Sequence, residues 1–93
     1  MITHDELKQE VRQWSKKIGV KPIEIHVREM KRKWASCSSK GRLTFNKAIM
    51  TESRSFLKEV IVHELLHLKY PNHGKIFKVL IRSYLGNHSQ GKF

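Results

Sequence analysis

Cysteine is almost absent from this sequence, since Cys37 is the only one among 93 residues. A single thiol excludes an internal disulfide, and a solitary cysteine is more typical of a reducing cytosol than of a secreted scaffold. Internal repeats, low-complexity tracts and linkers are also missing, so we predict one cytoplasmic domain over residues 1–93. So short a chain builds only a small core, which a bound metal can help to stabilise.

Long apolar runs are missing as well. No segment approaches the roughly 20 apolar residues of a membrane-spanning helix. Residues 1–20 are charged and amphipathic, unlike a signal peptide. We therefore expect no membrane partner and favour a soluble monomer.

Acidic residues are scarce, with 8 Asp and Glu against 19 Lys and Arg and a net charge of +11. Such a surplus attracts phosphate-rich surfaces, which makes DNA or nucleotides candidate partners. The alternative is that a lysine-rich surface only keeps a small protein in solution. The candidate nucleic-acid-binding residues are Lys31, Arg32, Lys33, Lys75, Lys78 and Arg82.

Periodicity predicts one helix and three strands in the first half. Thr3 can cap a helix whose apolar residues recur every three or four positions until Gly19. Residues 23–28 alternate apolar and polar, as in a strand with one buried face. Residues 34–37 and 42–46 flank a Ser-Ser-Lys-Gly turn and predict a hairpin.

The second half predicts two helices. Thr51 or Ser53 can cap a helix that is apolar almost all round and is therefore buried. Tyr70-Pro71-Asn72 ends this helix, and a last helix reaches about Leu85 before a polar, loose tail. The predicted fold is α+β, with an N-terminal helix, a small three-stranded sheet and two further helices.

The buried helix contains His63-Glu64-Leu65-Leu66-His67, an HExxH motif. Residues four apart lie on one face of a helix, so both imidazoles can reach one Zn²⁺. Glu64 is not needed as a ligand and can take a proton from a water on the metal. The alternative is two structural histidines in a core helix, although such groups are costly to bury without partners.

A catalytic zinc needs a third protein ligand and an open position for water. His73 is the best candidate, six residues after His67 and beyond the break between the helices. No acidic residue follows Glu64, so a downstream carboxylate cannot serve. His88 in the tail is the alternative. The remaining histidines are expected on the surface or on a strand face: His4 and His26.

These residues resemble a known family. The HExxH motif followed by Asn-His-Gly-Lys-Ile-Phe at 72–77 is similar to the signature of YgjP-like and SprT-like zinc metallopeptidase domains. Trp-Ala-Ser-Cys-Ser-Ser-Lys-Gly at 34–41, with Leu43, Phe45 and Asn46, resembles the strand and turn of the YgjP-like branch. The resemblance implies a minimal zincin with one Zn²⁺ per chain held by His63, His67 and His73.

The resemblance also implies a substrate site and a reaction. The 43–46 strand or its neighbour would pair with an extended peptide by strand addition. The candidate substrate-binding residues are then Trp34, Leu43, Phe45 and Asn46. Water would attack a peptide carbonyl with Glu64 as general base, and nucleic-acid-associated proteins are candidate substrates. Tyr70, Tyr84 or His88 could stabilise the oxyanion, and the tail could fold back and keep the enzyme latent.

Two other functions stay open. The same metal site with a basic surface could hydrolyse nucleotides. A nucleic-acid-binding module with a structural zinc would not need Glu64, but structural sites usually close with four ligands, often cysteines. Cys37 as a thiolate nucleophile or zinc ligand is disfavoured, because a lone cysteine in a strand is usually a small buried hydrophobe.

Overall fold

The computed structural model describes residues 1–86 and has the predicted α+β architecture. In chain order the elements are α1 (His4–Ile18), β1 (Glu24–Arg28), β2 (Ala35–Cys37), β3 (Arg42–Asn46), a short 3₁₀ helix (Lys47–Thr51), α2 (Arg54–His67) and α3 (Lys75–Leu85). Sequence reasoning missed only the 3₁₀ helix. The predictions for the tail, His88 and latency lie outside the described residues. Across residues 1–86, no helix combines the length and apolar character needed to cross a membrane.

The ends of α1 follow from its sequence. The Thr3 hydroxyl accepts a hydrogen bond from the Glu6 amide, and the Glu6 carboxylate accepts one from the Thr3 amide, a reciprocal capping box. At the other end Gly19 has a φ of 82°, a left-handed conformation in which a Cβ would be strained. The buried face of α1 packs against α2.

The sheet has the strand order β1-β3-β2, so the last strand in sequence lies in the centre. β3 pairs in parallel with β1 and antiparallel with β2. Ile25 and Val27 lie beside Leu43 and Phe45, which places the apolar residues of β1 and β3 on one face. The hairpin was predicted, whereas the parallel pairing of β1 was not.

The central position of β3 corrects the prediction that Leu43, Phe45 and Asn46 bind substrate. Both edges of β3 are already paired, and the side chains of Leu43 and Phe45 are 0% exposed in the core. The side-chain amide of Asn46 donates hydrogen bonds to the carbonyl oxygens of Met30 and Lys33, each at 2.9 Å. Asn46 also accepts a hydrogen bond from the Ala48 amide. These three residues therefore stabilise the fold.

α2 is the central helix of the domain and contacts α1, β2 and α3. It begins where the Ser53 hydroxyl accepts a hydrogen bond from the Phe56 amide. Almost every residue from Phe56 to Leu66 is buried, as the apolar sequence predicts. The HExxH motif therefore lies on a helix that is buried along most of its length.

Replacing Asn46 with alanine should lower the free energy of unfolding by about 1–2 kcal/mol, because it removes two loop hydrogen bonds and a helix cap. Urea denaturation followed by circular dichroism measures this change. Lys47→Ala, at an exposed neighbour, is the matched control and should change stability by less than about 0.5 kcal/mol. Unchanged stability with weakened peptide binding in Asn46→Ala would restore the substrate-binding interpretation.

Candidate metal centre

Three histidines from two segments converge at one point. His63 and His67 lie one turn apart on α2, and His73 lies just before α3. After α2 the chain turns back, with the Tyr70 amide donating to the Leu66 carbonyl at 2.8 Å. The ligand atoms of the three imidazoles all lie within 4.8 Å of one another, and Nε2 of His67 is 2.8 Å from Nε2 of His73. The sequence-predicted ligands are therefore brought together.

Hydrogen bonds orient two of the imidazoles. Nδ1 of His67 lies 3.3 Å from the Tyr70 carbonyl oxygen. A carbonyl can only accept, so Nδ1 carries the proton and Nε2 keeps the lone pair that a metal requires. Nδ1 of His63 lies 3.0 Å from Oε2 of Glu64 and has the same tautomer when Glu64 is ionised.

The exposure of the site residues increases from the core towards the solvent. His63 and Glu64 are each 8% exposed, His67 is half-buried and His73 is exposed. Desolvation and then the neighbouring His63 and His67 lower the pKa of His73, with a smaller effect of Lys78 in the same direction. A lowered pKa favours the neutral ring, which is the form that binds a metal.

Phe77 supports all three ligands and was missed as a site residue. It is buried, and its ring centroid lies 5.4 Å from that of His63 and 4.8 Å from those of His67 and His73. Its position four residues after His73, at the start of an amphipathic helix, is the signal that could have identified it. Phe77 therefore packs against all three imidazoles without lining the cleft.

The donor set fits a catalytic zinc. In residues 1–86 the only group of potential ligands that converges is His63, His67 and His73, and Cys37 is not part of it. Three neutral imidazoles with an open fourth position are typical of catalytic zinc, whereas structural sites usually close with four protein ligands. The geometry therefore disfavours the structural-zinc alternative.

A cleft of about 560 Å³ opens beside the histidines. Its remaining walls come from the loop before β2, from β2 itself, from α2 and from the α2–α3 turn. The lining residues apart from the histidines are Arg32, Lys33, Trp34, Ala35, Ser36, Cys37, Val60, Glu64 and Pro71. Trp34 is therefore the one predicted substrate-binding residue that lies in the cleft, where its ring also packs edge-on against Phe56.

β2 presents its backbone to this cleft. The Trp34 carbonyl accepts a hydrogen bond from the backbone amide of Asn46 at 2.8 Å, and the backbone amide of Ser38 donates one to the Arg42 carbonyl at 2.9 Å. Successive residues of a strand point their amide and carbonyl groups to opposite sides, so those of Ala35 and Cys37 point away from β3. β2 is thus the edge strand that an extended peptide can join.

The Cys37 side chain is a protonated thiol at neutral pH. Burial, and then the Glu64 carboxylate, raise its pKa from the usual 9.0 to about 11. The thiol donates a weak hydrogen bond to the Ser38 carbonyl at 3.4 Å. A thiol with so high a pKa is neither a nucleophile nor a ready metal ligand, which agrees with the sequence interpretation.

The other candidate residues are dispersed. Of the six predicted nucleic-acid-binding cations, only Arg32 and Lys33 line the cleft. Lys31 lines a separate groove near the N-terminus, and the last three are exposed on α3: Lys75, Lys78 and Arg82. Binding to nucleic acid stays a prediction.

The tyrosines considered for the oxyanion do not line the cleft either. Tyr84 packs edge-on against Trp14, with ring centroids 6.0 Å apart. Tyr70 lines a smaller groove on the far side of the α2–α3 turn. His4 and His26 are exposed, as expected.

The sequence matches the YgjP-like metallopeptidase domain over residues 2–92. The chain belongs to the YgjP-like metallopeptidase family. This membership confirms the predicted minimal zincin fold and makes the chain a zinc metallopeptidase, a hydrolase of peptide bonds.

Two solved structures resemble this YgjP-like domain. The metallopeptidase zymogen jannalysin of Methanocaldococcus jannaschii is 31% identical, with a TM-score of 0.76 over 84% of this chain and 80% of that one. The metallopeptidase zymogen abylysin of Pyrococcus abyssi is 21% identical, with a TM-score of 0.73 over 82% of this chain and 76% of that one, and shows the fold alone. No curated protein matches the chain.

Removing the third ligand should weaken zinc binding. We expect His73→Ala to raise the dissociation constant for Zn²⁺ at least about a hundredfold, because two imidazoles hold zinc poorly. Competition with a chromogenic zinc chelator measures the constant. His26→Ala removes an exposed histidine outside the cluster and should leave it unchanged. Equal affinity in His73→Ala and the parent would assign the third position to another residue.

Cys37 should react slowly with iodoacetamide, because only the thiolate attacks. With a pKa of about 11, the reaction rate in the metal-free protein should still rise about tenfold per pH unit near pH 9. Mass spectrometry of samples taken over time gives the rate. The protein unfolded in guanidinium chloride is the control. Its reaction rate should level off once the pH exceeds the ordinary thiol pKa of about 8.5. A similar plateau in the folded protein would contradict the raised pKa.

Proposed function

We propose that this metallopeptidase is a zinc-dependent endopeptidase in which His63, His67 and His73 hold one Zn²⁺. The observation that carries this proposal is the convergence of three imidazoles at the wall of an open cleft, with Glu64 buried beside them. Zinc bound there lowers the pKa of a coordinated water towards 7 and polarises a substrate carbonyl.

Glu64 is proposed as the general base. In the part of the chain that the structure describes, it is the only acidic residue in the cleft wall, and the three histidines nearby are assigned to the metal. Its carboxylate takes a proton from the attacking water and then passes it to the leaving amine. The hydrogen bond from His63 to Oε2 holds the carboxylate in place, so little reorientation is needed during the reaction.

β2 is proposed to hold the substrate. An extended peptide beside this strand exchanges hydrogen bonds with the amide and carbonyl groups of Ala35 and Cys37. The Trp34 ring adds an apolar contact at the start of the strand. Main-chain pairing of this kind does not require a chain terminus, which supports cleavage within a polypeptide.

A narrower part of the proposal concerns the substrates and the state of the enzyme. The net charge of +11 supports cytoplasmic proteins associated with nucleic acid as substrates. The jannalysin structure, 31% identical to this chain, is that of a zymogen, which supports a latent form of this chain in which residues after Leu85 limit activity. The assay below therefore includes a chain that ends at Leu85 beside the full chain.

Glu64→Gln should retain zinc and lower kcat for cleavage of an unfolded protein at least about a thousandfold, because the base is lost and the ligands are not. Gel electrophoresis and mass spectrometry of the products measure the rate, and elemental analysis measures zinc. Glu29→Gln, at an exposed position, is the matched control and should cleave normally.

Four outcomes would change the proposal. Equal cleavage by Glu64→Gln and the parent would remove Glu64 from the mechanism. Hydrolysis of nucleoside triphosphates in place of protein would favour a nucleotide phosphohydrolase. Cleavage unaffected by single- or double-stranded DNA would contradict the nucleic-acid part, and a truncated chain no more active than the full chain would contradict latency.

A further inference from the structure

One wall of the cleft carries two cations that have no ion-pair partner among residues 1–86. Arg32 and Lys33 line the cleft and are both exposed. Within residues 1–86 the ion pairs of lysine and arginine join Arg42 to Glu24 and Arg54 to Glu6. Neither involves Arg32 or Lys33, so both side chains are available to a ligand in the cleft.

Among residues 1–86, Glu64 is the one acidic residue that lines the cleft, and it is buried and hydrogen-bonded to His63. A ligand that enters the cleft beside Arg32 and Lys33 therefore meets positive charge, which favours anionic groups and repels basic ones.

The two cations are held at the beginning of the edge strand. The side-chain amide of Asn46 donates to the Lys33 carbonyl at 2.9 Å. The backbone amide of Asn46 donates to the next carbonyl along the chain, that of Trp34, at 2.8 Å. The backbone that carries Lys33 is thus anchored to the central strand. A peptide paired with β2 runs past this point, so its side chains or terminus come beside the guanidinium and ammonium groups.

We propose that Arg32 and Lys33 select peptide substrates that carry a carboxylate close to the scissile bond. This inference rests on the proposed endopeptidase function and names the substrate class of the same site. Guanidinium binds carboxylate in a bidentate manner, and lysine adds a point charge. The carboxylate can belong to an Asp or Glu side chain or to a chain terminus, since both present the same two oxygens.

The test uses internally quenched peptides that differ only at the residues flanking the cleavage site. Three of them have blocked ends and carry Glu, Gln or Lys, and a fourth carries Gln with a free C-terminal carboxylate. The zinc-loaded parent should cleave the Glu peptide with a kcat/KM about tenfold above that of the Gln peptide, and the Lys peptide more slowly still. A preference limited to the fourth peptide identifies the terminal carboxylate as the group selected.

Charge variants locate the effect. Arg32→Gln/Lys33→Gln should bring the Glu-to-Gln ratio of kcat/KM close to one, and Arg32→Glu/Lys33→Glu should invert the order so that the Lys peptide is preferred. Lys8→Glu/Arg12→Glu is the matched control, because it changes the net charge equally at exposed positions on α1 outside the cleft. The control should keep the parent's ratio.

Binding gives a readout that does not need turnover. Fluorescence anisotropy with the Glu64→Gln protein should show the same order of affinities, Glu above Gln above Lys, and loss of that order when Arg32 and Lys33 are changed. If the parent cleaves none of the peptides but the order of affinities is observed, the endopeptidase function is contradicted and the carboxylate site is supported.

Four results would overturn the carboxylate site. They are equal kcat/KM values of the parent for all four peptides, a preference that survives in Arg32→Gln/Lys33→Gln, and a preference lost equally in the α1 control. The fourth is a short single-stranded DNA that binds through Arg32 and Lys33 more tightly than the Glu peptide, which would make nucleic acid the ligand of these cations.

Discussion

The burial of α2 is the constraint on which the rest of the structure depends. A helix that is apolar on nearly every side becomes the core of so small a domain, and α1, the sheet and α3 are arranged around it. His63 and Glu64 are enclosed with it, at a cost that their mutual hydrogen bond and the adjacent cleft reduce. The HExxH motif therefore lies on the most extensively buried helix of residues 1–86.

β3 connects that core to the substrate side of the cleft. It packs Leu43 and Phe45 into the core, pairs with both other strands, and ends in Asn46, whose amide ties down the loop before β2. Because β3 takes the centre, β2 is left as an edge strand at the metal centre. A single strand order thus produces both the stability of the sheet and the surface on which a peptide can lie.

The third histidine of the cluster, His73, comes from a separate segment, and its position depends on a short turn. α2 ends at His67, the chain reverses over six residues, and Phe77 at the start of α3 packs against all three imidazoles. The same residues that close the core over α2 therefore gather the ligands. Metal binding is expected to stabilise the folded chain, because the unfolded chain has no such cluster.

The sequence by itself determined what depends on neighbours in the chain. The Thr3 cap, the stop at Gly19 and the common face of His63 and His67 follow from helix geometry, and the lack of later acidic residues pointed to His73. Tertiary structure decided the strand order, the burial of Leu43 and Phe45, the support from Phe77 and the place of Arg32 and Lys33 in the cleft wall. Helical spacing fixes side-chain directions over a few residues, whereas strand pairing is chosen by which distant segments bury their apolar faces together.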